Sequence, residues 1–171
     1  MKVYLDALRY ILERGVDRKD RTGVGTRAVF GMQMRYRMAD GFPAVTTKKL
    51  AFNAVKAELL WFLKGSSNVK ELQALGCRIW DANAQADYWK PYAKYDGDVG
   101  RIYGTQWRSW KTPEGETIDQ LARVIERIRT KSPTRRLMVT AWNPGELDAE
   151  EQNPPHVALA PCHVLFQFFV A

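Results

Sequence analysis

The chain is short of the residues that build cross-links and metal sites, with two cysteines and two histidines among 171 residues. Cys77 and Cys162 are too few for a disulfide framework, which suits a reducing compartment and leads us to expect a cytoplasmic protein. His156, Cys162 and His163 lack zinc-site spacing and a fourth ligand, so no metal is expected. No apolar run approaches the length of a membrane-spanning helix, and the N-terminus enters an amphipathic pattern with no signal-like segment, so no membrane association is expected. Repeats and low-complexity tracts are missing too. A block of basic residues is likewise absent, although the formal net charge is +7. Arg21, Lys48-Lys49, Arg101, Arg108 and Arg135-Arg136 are scattered, which argues against a nucleic-acid arm and for separate clamps on small anions.

What is present reads as one α+β domain over residues 1–171, with helices packed on a mixed β-sheet. Residues 2–14 place Tyr4, Leu5, Leu8, Ile11 and Leu12 at helical spacing, and Gly15 ends the run. After a turn-rich loop, Ala28, Phe30, Met32, Met34, Tyr36 and Met38 alternate with polar residues, the period of a strand. Phe52 to Lys64 is predicted as a helix stopped by Gly65. Asn68 to Leu75 is predicted as another, with Asn68 as N-cap and Glu71 at the capping-box offset. Residues 81–116 lack periodicity and read as a long folded loop. Thr117-Ile118-Asp119-Gln120 reads as a capping box opening a helix with the stripe Ile118, Leu121, Ile125 and Ile128. Leu137 to Trp142 and Phe166 to Val170 read as strands, with residues 148–155 an exposed loop. The apolar Phe166–Val170 segment runs straight into the C-terminus, which fits an interior strand or a polypeptide that continues.

Some residues invite chemistry. Cys162 follows Pro161 at the mouth of an apolar strand, where it is either a small buried hydrophobe or a rigidly held nucleophile. Glu58 has Ala54, Val55, Trp61 and Phe62 as helical neighbours. It therefore requires a raised pKa or a specific partner, as a proton-transfer group or as half of a structural ion pair. Arg135-Arg136, after Pro133 and before a strand, reads as a phosphate clamp or a solvated turn. Arg21 lies in a glycine-containing loop that is neither a Walker motif nor GxGxxG. His163 points away from Cys162 if both lie on a strand, which weakens a Cys–His hydrolase reading. Trp80, Trp89, Tyr92, Tyr95, Tyr103, Trp107 and Trp110 crowd one region, either as packing or as a stacking surface for a heterocycle.

Taken together these segments resemble the thymidylate synthase family. The resemblance runs through Asp20-Arg21-Thr22-Gly23-Val24-Gly25-Thr26, Gly41-Phe42-Pro43-Ala44-Val45-Thr46-Thr47-Lys48-Lys49 and Glu58-Leu59-Leu60-Trp61-Phe62-Leu63. It continues with Ile79-Trp80-Asp81, Tyr103-Gly104-Thr105-Gln106-Trp107-Arg108, Arg135-Arg136 to Asn143, and Ala158-Leu159-Ala160-Pro161-Cys162-His163. It implies an α+β fold of the synthase/hydroxymethylase type and reductive methylation of deoxyuridylate (dUMP) to thymidylate (dTMP) by methylenetetrahydrofolate. By that resemblance Cys162 is the nucleophile, Glu58 organises water and moves protons, and Tyr103 assists at carbon five. Arg21, Arg135, Arg136 and His163 would bind the nucleotide, while Trp80 and Asn83 would line the folate pocket. A homodimer with shared sites follows, because Arg135 and Arg136 would act on the partner's phosphate.

Three departures accompany the resemblance. The family's later segments are absent after Ala171, so the chain reads as an incomplete, N-terminal portion expected to be inactive alone. Ala51 replaces a folate-contacting His, and residues 148–157 form a longer stretch than is common. A pyrimidine nucleotide hydroxymethylase of the same superfamily, an inactive fragment and a nucleic-acid-binding module are the competing readings.

Overall fold

The computed structural model of the chain describes residues 1–20, 23–147 and 155–170. Two packed units divide it, Met1–Ala51 and Phe52–Ala171.

Helix α1 (Lys2–Arg14) opens the first unit. Its buried stripe is narrower than the apolar pattern predicts: Ala7 is buried, Tyr4 and Ile11 are half-buried, and Leu5, Leu8 and Leu12 are exposed. Gly15 stops the helix by donating its N–H to Ile11 O at 2.8 Å, and a Cβ there would stand 2.4 Å from that carbonyl. Strands β1 (Val16–Arg18) and β2 (Thr26–Ala28) then pair antiparallel, with Val16 opposite Ala28 and Arg18 opposite Thr26.

The long strand expected over residues 28–38 does not form. β2 ends at Ala28, residues 31–37 have no regular structure, and Met38–Asp40 is a short 3-10 turn. Alternation gives a segment two chemically distinct faces, but a strand also needs a hydrogen-bonding neighbour. β1 supplies only three partners, and the pairing ends with them.

The second unit is built on α2 (Phe52–Lys64) and α5 (Tyr103–Ser109). The predicted α2 forms, with Gly65 after it at φ 80°. α5 crosses it so closely that a Cβ on Gly104 would lie 2.4 Å from Phe62 O. This approach brings Trp61, Phe62, Trp80, Tyr103 and Trp107 into one cluster, with ring-centre separations of 4.6–6.3 Å. Offset and edge-on aromatic pairs of this kind add roughly 0.5–1.5 kcal/mol each beyond the area they bury.

Residues 81–116 are not a long loop. They contain α4 (Asp81–Ala84), a 3-10 turn at Lys90–Tyr92, α5 and strand β3 (Trp110–Lys111). α5 shows no amphipathic period because Tyr103, Gly104, Gln106 and Trp107 are all buried, and a helix enclosed on several sides has no polar face to alternate with.

Before it, α3 (Val69–Ala74) is capped as predicted, Asn68 Oδ1 accepting from Lys70 N at 2.9 Å. Glu71 does not complete a capping box. Its Oε2 stands 2.7 Å from Lys64 Nζ, in an ion pair.

β3 pairs with β4 (Thr117–Ile118), so the cap of α6 (Gln120–Arg129) is Asp119, which accepts from Ala122 N at 2.8 Å. The predicted helix start at Thr117 is therefore two residues too early. Leu121 and Val124 form the buried stripe of α6, while Ile125 and Ile128 are exposed, contrary to expectation. β5 (Met138–Thr140) and β6 (Leu165–Gln167) pair antiparallel; β5 lies within the predicted Leu137–Trp142, whereas β6 begins one residue before the predicted Phe166–Val170, and both are shorter than predicted.

The side-chain amide of Gln120 extends this ribbon. Its Nε2 donates to Thr140 O and Gln106 O at 2.9 Å each, and its Oε1 accepts from Thr140 N at 3.1 Å. Overall the protein is α+β, as expected, with its described strands forming three antiparallel ribbons in place of one mixed sheet. Among the described residues no helix is long and apolar enough to cross a membrane.

Candidate functional site

Cys162 lies on a loop that is braced before it reaches the sulfur. Pro155, Val157, Ala158 and Pro161 are buried, while Cys162 is exposed. Val157 forms a bridge with Gly100, Ala158 N donates to Val99 O at 3.0 Å, and the Tyr88 hydroxyl donates to Ala158 O. A small hydrophobe has no reason to be held outward in this way. The other cysteine, Cys77, is the one that behaves as core, at 2% exposure.

The braced loop delivers the N–H groups of Cys162 and His163 to one acceptor, the hydroxyl oxygen of Tyr103. Tyr103 sits in the first turn of α5 and is 4% exposed. Burial pushes its hydroxyl above the ordinary tyrosine range, and the two backbone N–H groups oppose that by favouring the anion. The His163 ring stacks on Tyr103, with centres 4.6 Å apart and planes 36° from parallel.

Glu58 is half-buried on α2, and its partner is an indole: Trp80 Nε1 donates to Glu58 Oε1 at 2.7 Å. Among the described residues Glu58 makes no ion pair, so the structural-pair alternative gives way to a neutral donor. That donor fixes the orientation of the carboxyl group and brings no charge to it. Trp80 is buried against Trp61, Phe62 and Tyr103 and precedes α4, on which half-buried Asn83 lies three residues further on.

Five of the nine expected site residues are thus linked through Glu58, Trp80, Tyr103, Cys162 and His163. Arg135 and Arg136 lie elsewhere, exposed between α6 and β5. Their backbone is fixed by Gln167 Nε2 donating to Arg135 O and Arg127 Nη1 donating to Arg136 O, both at 3.1 Å. Arg135 lines a groove of about 350 Å³ with Ser132, Thr134, Phe168 and Phe169. Neither guanidinium forms an ion pair among the described residues. Arg21 lies outside the described residues. In the first unit β1 and β2 flank an open groove of about 670 Å³ lined by Arg18, Lys19, Gly23, Gly25 and Arg27, with Gly25 N donating to Asp20 Oδ1 at 3.3 Å.

A family model described as thymidylate synthase matches residues 2–171. The chain belongs to the thymidylate synthase family. Enzymes of that family are folate-dependent transferases of nucleotide biosynthesis. The match runs through both packed units and includes every one of the expected site residues.

Sequence reasoning missed the supports of the candidate site. Val99, Gly100, Arg101 and Glu146 carry no motif of their own, and Arg101 reads only as one scattered cation. Gln106 stands within the segment that carries Tyr103, yet nothing in the sequence shows that its side chain is completely buried.

Proposed function

We propose that this chain belongs to an enzyme for the reductive methylation of dUMP to dTMP with methylenetetrahydrofolate, and that it carries the nucleophile. The observation that carries the reading is the exposed Cys162 thiol, whose loop is held by Tyr103 beside the Glu58–Trp80 pair. On this reading the Cys162 thiolate adds to carbon six of the uracil ring. Tyr103, whose hydroxyl already meets the Cys162 backbone, assists proton removal at carbon five. Glu58, oriented by Trp80, moves protons through water near the pyrimidine carbonyl. Arg21, Arg135 and Arg136 hold the phosphate across a homodimer, and His163 lines the nucleotide site.

Methylenetetrahydrofolate, when bound, supplies the one-carbon unit and the hydride. Exposed Ile79 and half-buried Asn83, which flank Trp80, fit a heterocycle with an amide edge. Trp80 itself acts as a wall and as the donor to Glu58, since its ring is enclosed by the aromatic cluster.

The test is to incubate the protein with dUMP fluorinated at carbon five together with methylenetetrahydrofolate, and to weigh its peptides. A covalent adduct on Cys162 that is absent from Cys162→Ser supports the reading, and no adduct on the unaltered protein overturns it. Product analysis with dUMP and dCMP separates methylation from hydroxymethylation.

A further inference from the structure

We propose that Arg101, Glu146 and Gln106 form a clasp that positions the Tyr103 hydroxyl against the Cys162 backbone, with Arg101 as its principal positioning residue. The inference rests on the reading of Cys162 as nucleophile and Tyr103 as its neighbour in the site.

Arg101 stands two residues before Tyr103, just ahead of α5, and its side chain turns back along the helix. Nη2 donates to Ser109 O, the carbonyl of the last residue of α5, at 2.7 Å. Nε meets both carboxylate oxygens of Glu146, at 3.1 and 3.0 Å. Gln106, on the same helix and fully buried, gives its amide N–H groups to Arg101 O at 2.7 Å and to Glu146 Oε2 at 2.6 Å. Its Oε1 has no partner among the described residues. A buried amide with one unused end is placed for its donors, and both donors serve the clasp.

Glu146 ends the 3-10 turn Pro144–Glu146, and buried Leu147 follows it. The chain returns at Val157 and Ala158, which are laddered onto Gly100 and Val99, and four residues later it reaches Cys162. Residues 99–106 therefore hold both ends of the segment that leads to the nucleophile. One end is held by backbone pairing, the other by charge-assisted bonds. A partly exposed ion pair is a weak source of stability, so a bifurcated pair reinforced by a buried amide makes better sense as a fixer of geometry. The lever is long: rotating α5 by about 10° would move a hydroxyl ~9 Å from the helix axis by about 1.5 Å. That is enough to break its bonds to Cys162 N and His163 N.

The experiment compares Arg101→Ala, Arg101→Lys and Glu146→Ala with the unaltered full chain. Hydrogen exchange of the Cys162 and His163 amides reads the clasp directly, and alkylation of buried Cys77 reports general unfolding. We expect those two amides to exchange at least tenfold faster in Arg101→Ala and Glu146→Ala while Cys77 remains protected. Arg101→Lys should be intermediate, because a single ammonium cannot span Glu146 and Ser109 O together. The rate of covalent adduct formation should fall about tenfold or more with nucleotide affinity unchanged, since misplacement near 1 Å costs up to about a hundredfold.

Unchanged exchange in both alanine variants overturns the proposal. So does exchange that rises only in step with Cys77 labelling, which marks a merely structural pair. Should Arg101→Ala fail to fold, Arg101→Lys is judged by the same two criteria. The exchange arm needs no substrate, so failure of the unaltered protein to form any adduct refutes the nucleophile assignment separately.

Discussion

Residues 28–38 and 57–107 are both rich in large apolar side chains, and they meet opposite fates. In the first segment Phe30, Met32, Met34, Tyr36 and Met38 are all exposed. In the second, Trp61, Phe62, Trp80, Tyr103 and Trp107 are all buried. Composition does not separate the two. The difference is that α2 and α5 approach within backbone contact at Gly104, whereas the alternating segment has no ladder beyond Ala28 in its own unit. Hydrophobic patterning marks a surface as suited to burial, and only a partner surface buries it.

The strongest way to break this comparison is to truncate one residue on each side of it. Trp61→Ala removes a ring that is 1% exposed and a hydrogen bond from its Nε1 to Asn68 O at 3.0 Å. It should cost about 3–5 kcal/mol in urea denaturation. Phe30→Ala should change the stability by less than about 0.5 kcal/mol. Comparable losses at both positions would mean that the alternating segment is buried in solution after all.

A glycine pair sharpens the same contrast. Gly104→Ala drives a methyl into Phe62 O and should cost about 1–3 kcal/mol. Gly31→Ala meets nothing within 4 Å and has no positive φ, so it should be neutral or slightly stabilising by thermal melting.

The same asymmetry explains what could be read in advance. Helices such as α2 and the cap at Asn68 are legible because their signals are local: spacing, a capping side chain and a glycine stop. α5 was missed because its residues are buried on several sides, which erases the period that reveals a helix. Around the site, Cys162, Glu58 and Tyr103 could be singled out from residue type and motif. Which of them bond to one another could not. Trp80 lies 22 residues from Glu58 and Tyr103 lies 59 from Cys162, and hydrogen bonds over such separations leave no trace in local pattern. The Arg101–Glu146 pair, 45 residues apart, was invisible for the same reason.

A titration effect belongs to the buried aromatic cluster. Burial raises the Tyr103 pKa above the unfolded value, so between the two values the folded state holds more protons than the unfolded state. The associated stability is complete below the unfolded value, near 10. It is then lost as pH rises through the folded value. The unaltered protein should therefore lose stability on alkaline titration more steeply than Tyr103→Phe, measured by urea midpoints between roughly pH 9 and 11. Equal slopes would mean that the hydroxyl ionises as freely folded as unfolded.

The smallest expected effect lies at the edge of the second unit and has the opposite sign. Lys64, beside Glu71, holds that carboxyl below its ordinary value, with a further hydrogen bond from Ser66. A depressed folded pKa contributes stability that is present above the unfolded value and disappears as pH falls through the folded one. Glu71→Gln should therefore flatten the acid limb of the stability profile below about pH 4.5 and leave the alkaline limb alone. Because the pair is well exposed, the loss near neutral pH should stay within about 0.2–1 kcal/mol and shrink further in high salt. A larger, salt-insensitive loss would show that Glu71 is held in a geometry that water and salt do not screen, and would place the end of α2 with the packed interior and not with the solvated rim.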